Sequence, residues 1–246
     1  MTCYILGENS FVGKTLFEYM KDKTHCYLVA RKTIDLLNPA TFSNIDFSNS
    51  VIIDCINVNN GNKEEIVRTN VSGFTNLINY LKQKAVNLKY VYMSTISVTD
   101  ETAVKGSAYV NSKKTAEDTL MASGLDYQIM RLSYPIGKGE NKSRLFPRLI
   151  SQLKNNEPVT VNDILINPNA VEDVVKDIYH QLQGPKITFI SSNNYFSLAG
   201  LVLFLKENLR SESSITVNEA KEQYLPKSET PFEESQTIKQ RLLQMI

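Results

Sequence analysis

The chain has 246 residues, 22% of them charged, and 27 Lys and Arg almost balance 26 Asp and Glu for a net charge of +1. Near-neutrality gives no electrostatic case for a nucleic-acid or membrane partner. No run approaches the roughly 18 continuous apolar residues of a membrane span, and the start Met1-Thr-Cys-Tyr-Ile-Leu-Gly7 lacks the basic region of a secretion signal, so a soluble, cytoplasmic protein is expected. Cys3, Cys26 and Cys55 are odd in number and lack Cys-x-x-Cys spacing, and His25 and His180 are the only histidines. Buried, reduced cysteines are expected, with no metal site and no Ser-His-Asp triad.

Thr2 to Leu6 is a short apolar run ending at Gly7, and Leu16, Phe17 and Met20 then recur at helical spacing. Between them Gly7-Glu-Asn-Ser10-Phe-Val-Gly13 follows a Gly-x-x-Gly-x-x-Gly turn, with serine in the middle place. A glycine there permits a tight turn beside a phosphate, and the helix start offers free N–H groups and a positive dipole end to a pyrophosphate. Gly7, Asn9, Ser10, Phe11, Val12 and Gly13 are therefore candidate cofactor contacts. A second strand, Cys26 to Ala30, is followed by Arg31 and Lys32. In dinucleotide-binding folds an acidic residue at this place takes the ribose hydroxyls of NAD and an arginine takes the 2′-phosphate of NADP. Two adjacent cations point to NADP(H), with NAD(H) possible and a solvated basic loop as the alternative reading of the pair. Asp35 lies a few residues late for the ribose carboxylate.

Val51 to Val58 reads as a strand buried on both faces, interrupted by Asp54, either a functional acid or, the commoner case, a carboxylate near the strand's exposed end. Glu64 to Lys84 reads as one long helix with Ile66, Val67, Val71, Phe74, Leu77, Ile78 and Leu81 on its apolar stripe. Lys89 to Met93 is the next strand and delivers Ser94, Thr95 and Ser97 at its carboxyl end. A helix ending near Ala122 carries Tyr109 and Lys113, Gly124 stops it, and a strand spans Asp126 to Leu132. Alternation of strands and helices predicts an α/β fold, a Rossmann-like doubly wound parallel sheet.

Tyr109 and Lys113 are four positions apart, so on a helix they share one face. An ammonium beside a phenol favours the phenolate and draws the tyrosine pKa down from about 10 toward the working pH, as proton transfer requires. Thr95 would hydrogen-bond the same substrate oxygen. An ordinary helical surface pair is the alternative.

Taken together, these motifs resemble the extended short-chain dehydrogenase/reductase family, within it the sugar-nucleotide reductases and epimerases. Gly7-x-x-Ser10-x-x-Gly13 resembles its cofactor turn, Asn70-Val71-x-Gly73 its Asn-Val-x-Gly helix start, and Tyr92-Met-Ser94-Thr95 its active-site strand. Tyr109-x-x-x-Lys113 matches its signature, Arg131-Leu-Ser-Tyr-Pro-Ile-Gly137 its Arg-x-x-x-x-x-Gly passage, and Asn169-Ala-Val-Glu-Asp173-Val its Val-Asp-Asp-Val element. The resemblance implies Tyr109 as proton donor, Lys113 on the nicotinamide ribose, and Thr95 holding the reacting oxygen. Val29-Ala-Arg31 with Ile34-Asp-Leu36 is similar to the NADPH-dependent fucose-synthase and dehydrorhamnose-reductase branch, and Asn57-Val-Asn59-Asn60 to a loop of capsule-synthesis reductases, which brings Asn57 to the cofactor set.

The sequence also departs from that pattern. Ser10 replaces the middle glycine, which predicts a looser approach to the pyrophosphate, and Ile56-Asn57 replaces a small pair beside the cofactor. Ile96-Ser97 stands where dehydratases of the family carry Asp-Glu, and Ser97 where fucose synthases carry a cysteine. Simple ketoreduction is what remains.

Beyond Gly137 a basic loop leads into a helix from Leu145 to Leu153. By the same resemblance Ser97, Lys142, Arg144 and Arg148 are candidate substrate contacts, a solvated face being the alternative for each cation. Further helices are expected at Ala170 to Leu182, Leu198 to Leu209 and Ser235 to Ile246, with a strand at Ile187 to Ser191. Residues 1–136 would form the NADP-binding domain and 137–246 a small substrate-binding lobe interleaved with the main sheet, its pocket open or completed by a partner. The expected activity is NADPH-dependent reduction of a keto-sugar nucleotide, in surface-polysaccharide or deoxysugar biosynthesis. The rivals are an NAD-dependent sugar-nucleotide epimerase and a non-catalytic dinucleotide-binding subunit. Val67, Tyr80 and Met121, expected to face outward, suggest a homodimer built on the long helices.

Overall fold

Apolar runs alternating with amphipathic helices have the period and length of a βαβ chain, and the computed structural model, which describes residues 2–219 and 225–246, folds accordingly. In order come β1 (Thr2–Leu6), α1 (Phe11–Met20), β2 (Cys26–Val29), β3 (Ser50–Asp54), α2 (Lys63–Val67), α3 (Phe74–Lys84), β4 (Lys89–Thr95), α4 (Glu101–Gly106), α5 (Ala108–Met121) and β5 (Asp126–Leu132). The chain continues through β6 (Tyr134–Ile136), α6 (Leu145–Lys154), β7 (Val159–Asn162), β8 (Leu165–Ile166), β9 (Pro168–Ala170), α7 (Val171–His180), β10 (Ile187–Ile190), β11 (Phe196–Ser197), α8 (Leu198–Leu209), β12 (Ile215–Asn218) and α9 (Ile238–Met245).

The chain divides into two units. The first runs up to Leu132 and takes in Val175–Phe189; the second is Ser133–Val174 with the chain from Ile190 onward. The first is organised on a six-stranded sheet of order β10-β5-β4-β3-β1-β2. β1 pairs in parallel with both β2 and β3, and β4 and β5 extend the sheet beyond β3. Successive strands run outward from β1 in opposite directions, so the order reverses between β1 and β3. Open α/β sheets bind ligands at the carboxyl ends of the strands that flank such a reversal. Leu6, Ile52, Phe74, Leu77, Tyr90, Tyr92, Leu120 and Ile129 belong to the core on the α3 and α5 face.

The second unit has its own core, with Phe146, Leu149 and Leu153 of α6 against Val202 and Leu205 of α8 and Leu242 of α9. Its sheets are only two-stranded, β6 with β9, β7 with β12, and β8 with β11. Side chains supplement them. Asn193 bonds both the N–H and the C=O of Ser228, Asn169 accepts the Ser192 N–H at 2.9 Å, and Asp173 accepts the N–H and hydroxyl of Ser235.

Several expectations are corrected. The third strand ends at Asp54, not Val58, because the chain leaves the sheet there and only the Cys55 N–H still reaches Leu6. Asp54 is 1% exposed, so it is no exposed end but a buried carboxylate. The long helix is α2 and α3 joined by a π-helical turn, Arg68–Gly73. Val67, placed on its apolar stripe, is exposed, whereas Asn70 and Gly73 are buried. A Cβ on Gly73 would stand 2.9 Å from the Leu36 Cβ, so the helix lies too close to the segment after β2 for any side chain. Tyr80, expected to face outward, packs edge-on against Phe42. The strands β6–β9, β11 and β12 have two to four residues, too few for periodicity to register. The last helix begins at Ile238, where Thr237 and Gln240 form a capping box.

Candidate functional site in the first unit

β1 is followed by Gly7, whose φ of +99° suits glycine alone and whose missing side chain matters: a Cβ would stand 3.1 Å from the backbone of Cys55 and Ile56. The turn is thereby pressed against the end of β3, at the reversal of strand order. Ser10 has φ −71° and ψ 132°, a conformation open to any residue, and its hydroxyl accepts the Gly13 N–H at 3.2 Å as the N-cap of α1. Serine in the middle place thus starts the helix, without demanding glycine's freedom. The N–H groups of Phe11 and Val12, having no acceptor within the helix, sit at its positive end. Such a turn fits the pyrophosphate of a dinucleotide.

At the end of β2 both Arg31 and Lys32 are exposed. Arg31 is not free of carboxylates: its Nε lies 3.3 Å from Asp35, and its backbone N–H donates to Glu8 at 3.1 Å. Asn57 is exposed on the segment after β3. That segment is anchored by Asn70, whose side chain accepts the Val58 N–H at 3.0 Å and donates to the Val58 carbonyl at 2.8 Å. Ile56 packs against the core of this unit.

β4 delivers Thr95 at its last position, where the Oγ1 accepts the Ser97 N–H at 3.3 Å and lies 3.4 Å from the Ser97 hydroxyl. Ser107 caps α5 through the Val110 N–H, which sets Tyr109 in the first turn, partly buried. Ser112 donates to the Tyr109 carbonyl at 2.7 Å and accepts from Asn70 at 3.1 Å, so one chain of bonds joins the loop after β3 to the helix of Tyr109. Lys113 is 3% exposed. Its Nζ donates to the Met93 carbonyl at 2.8 Å and lies 4.5 Å from the centre of the Tyr92 ring. Burial lowers the Lys113 pKa to about 8, and Asp54, Cys55 and Glu117 oppose the fall. The first unit therefore brings Thr95, Ser97, Tyr109 and Lys113 to the ends of β4 and the start of α5.

The remaining predicted contacts belong to the second unit. Lys142 and Arg148 are exposed there. Arg144 is engaged: its Nε donates to Glu140 at 2.7 Å, and its guanidinium lies 4.8 Å from the centre of the Tyr134 ring. Burial raises the Glu140 pKa to about 7 against the pull of Arg144, and its other oxygen is buried without a hydrogen bond.

Sequence reasoning missed Asp54, Tyr90 and Tyr92 as a group. The Asp54 Oδ2 accepts the Tyr90 hydroxyl at 2.8 Å and its Oδ1 the Ile56 N–H at 2.8 Å. The signal was a carboxylate inside an apolar strand beside a strand with tyrosine at alternate positions. Among the described residues no cluster of three His, Cys, Asp or Glu could hold a metal ion, and no helix is long and apolar enough to cross a membrane.

The model of the NAD dependent epimerase/dehydratase family matches residues 3–179, most of the chain. The chain belongs to that family. As an epimerase/dehydratase family member it is an NAD(P)-dependent enzyme of the extended short-chain dehydrogenase/reductase type. Solved structures share the fold at low identity. RMD from Pseudomonas aeruginosa, complexed with NADPH, is 19% identical, with 99% of this chain and 96% of that one covered and a TM-score of 0.79. WbmH of Bordetella bronchiseptica, in complex with NAD+, is 16% identical over 98% and 95% of the two chains, with a TM-score of 0.80. GDP-mannoheptose C4 reductase from Campylobacter jejuni, with NADP bound, is 12% identical over 99% and 96%, with a TM-score of 0.77. No curated protein matches this epimerase/dehydratase family chain.

Proposed function

We propose that this chain is an NADPH-dependent reductase of a keto-sugar nucleotide, working in surface-polysaccharide or deoxysugar biosynthesis. The observation that carries the reading is Lys113, a buried ammonium one turn along the helix from Tyr109 and bonded to the strand that ends in Thr95. NADPH, when bound, supplies the hydride. Thr95 holds the carbonyl oxygen of the substrate, and Tyr109 delivers its phenolic proton to that oxygen. Lys113 binds the nicotinamide ribose and favours the phenolate left on Tyr109. The turn Gly7, Asn9, Ser10, Phe11, Val12 and Gly13 takes the pyrophosphate, Arg31 and Lys32 the 2′-phosphate, and Asn57 lines the cofactor side. Ser97, Lys142, Arg144 and Arg148 are the proposed substrate contacts. Among these cations Lys142 and Arg148 are the exposed ones.

The enzyme is proposed to work in the cytoplasm as a homodimer, with residues 1–136 serving the cofactor and 137–246 the substrate. Exposed Val67 and Met121 support the dimer, and a monomeric mass at micromolar concentration overturns it.

A second reading, an NAD-dependent sugar-nucleotide epimerase, draws on Glu8 and Asp35 beside Arg31, since two carboxylates there oppose a 2′-phosphate. Titration of the purified protein with NADPH against NADH separates the two. The reductase binds NADPH in preference, turns over a keto-sugar nucleotide from a panel, and loses about 10²–10⁴ of that rate in Tyr109→Phe. Tight NADH binding or retained NAD favours the epimerase, and a fully active Tyr109→Phe overturns both.

A further inference from the structure

Asp54 is the buried group of the first unit that the proposed chemistry leaves unused. It is 1% exposed at the end of β3, and both of its oxygens are hydrogen-bonded, one by the Tyr90 hydroxyl and the other by the Ile56 N–H, each at 2.8 Å. These bonds fix its position. They do not balance its charge, and a carboxylate withdrawn from water calls for a cation.

Register identifies where the cation stands. Asp54 is paired in parallel register with Tyr92 of β4, and neighbouring strands lie about 4.8 Å apart with paired side chains on the same face. Tyr92 carries the Lys113 ammonium over its ring. Asp54 and Lys113 thus flank one tyrosine on the face of the sheet that α5 covers.

The other titratable groups around Lys113 are Cys55 after β3, Tyr90 and Tyr92 on β4, and Tyr109 and Glu117 on α5. Burial raises the Cys55 thiol and the Tyr90 and Tyr92 phenols, so these three are neutral. Glu117 is matched by Arg131, whose Nε and Nη2 reach its two oxygens at 3.0 and 2.6 Å. Lys113 itself donates to an uncharged carbonyl. Asp54 is the acid left to it: burial raises its carboxyl as well, and the charge of Lys113 opposes that rise, with the Tyr90 hydroxyl and the Ile56 N–H behind it.

We infer that Asp54 is the buried counter-charge of the Lys113 ammonium, held in place by Tyr90 and the Ile56 amide, and therefore a positioning residue for Lys113. The inference rests on the reading of Lys113 as the lysine of the redox site. Its function is to keep the amine protonated where burial alone would strip the proton at working pH. An opposite charge at close range holds a group in its charged form by about 1–3 pH units, and the Tyr90 hydroxyl bonded to Asp54 favours its carboxylate against the burial that raises it.

The test follows the Lys113 side chain by NMR titration in lysine-labelled full-length protein, its signal identified by its loss in Lys113→Met. In Asp54→Asn, which retains size and an acceptor for the Ile56 amide, Lys113 deprotonates about 1–3 pH units lower than in wild type. The alkaline limb of the pH profile for NADPH binding moves by the same amount. Tyr90→Phe removes only the hydroxyl bound to Asp54 and gives a smaller displacement in the same direction, which decides the matter should Asp54→Asn not fold. A Lys113 titration unchanged in the variant overturns the inference. Because the titration needs no turnover, a wild-type protein that reduces no keto-sugar nucleotide overturns the reductase reading while the Lys113 result stands.

Discussion

Lys113 in the first unit and Arg144 in the second are both cations drawn out of water, and their surroundings handle the charge differently. Arg144 has a carboxylate in direct contact, Glu140 at 2.7 Å, and a tyrosine ring under its guanidinium. Lys113 has a tyrosine ring as well, but its hydrogen bond goes to a backbone carbonyl, and Asp54, the carboxylate inferred to balance it, is bonded by the Tyr90 hydroxyl and the Ile56 N–H instead. An ammonium has three donors, so Lys113 retains bonding capacity while its charge is still balanced. Direct pairing fixes a loop; balance at one remove leaves a charge able to act on a ligand.

Three experiments sharpen this contrast. The largest effect is expected from Lys113→Met, which abolishes proton-coupled turnover and also leaves Asp54 buried without its cation, at a cost of about 3–5 kcal/mol in stability. Arg144→Met costs less, because Glu140 is already close to protonation at neutral pH. Chemical unfolding of the two variants side by side makes the measurement, and equal losses would erase the distinction.

Next in size is a pH effect from Glu140. Its folded pKa, about 7, lies above the value near 4.5 of an open chain. The native protein therefore binds more protons than the unfolded one between those values, and stability falls as pH rises from about 4.5 to 7, by about 3 kcal/mol from this group. Glu140→Gln removes that slope while offering Arg144 an amide oxygen. A slope between pH 4.5 and 7 that survives unchanged in Glu140→Gln would show the carboxyl to be ionised throughout.

The smallest effect belongs to Tyr134→Phe. The ring under Arg144 remains, but the hydroxyl that accepts the Leu145 N–H at the start of α6 is lost, and α6 has no other side-chain cap. A loss of about 1 kcal/mol is expected by thermal unfolding.

How far the sequence revealed this arrangement depends on the kind of evidence each part leaves in a linear chain. The main sheet was legible because strands such as Asp126–Leu132 are long enough to show their period, and so, in the second unit, is the helix Leu198–Leu209; both lie where the pattern put them. The candidate trio was legible because Tyr109 and Lys113 are local to one helix. Asp54 was misjudged for the opposite reason. Its partners Tyr90 and Lys113 are 36 and 59 positions away, and a carboxylate in an apolar strand has no visible partner until register is known. The short strands of the second unit were missed because two to four residues are too few to show a period, and the bonds that Asn169 and Asn193 make to the loops around them look like ordinary loop chemistry in one dimension.

The edge strand β10 has a further consequence for how this protein is made. It is drawn from residues that follow α6, β7, β8 and β9 in the chain, and the Ile129 N–H of β5 is bonded to the Lys186 carbonyl beside it. A nascent chain emerging from the ribosome as far as Leu132 has every residue of the candidate catalytic trio yet exposes a bare strand edge along β5, open to pairing with a neighbour. The first unit is closed only some 55 residues later, so a truncated fragment ending at Leu132 is a candidate for aggregation, and expression of this unit alone calls for Val175–Phe189 to be spliced back onto it.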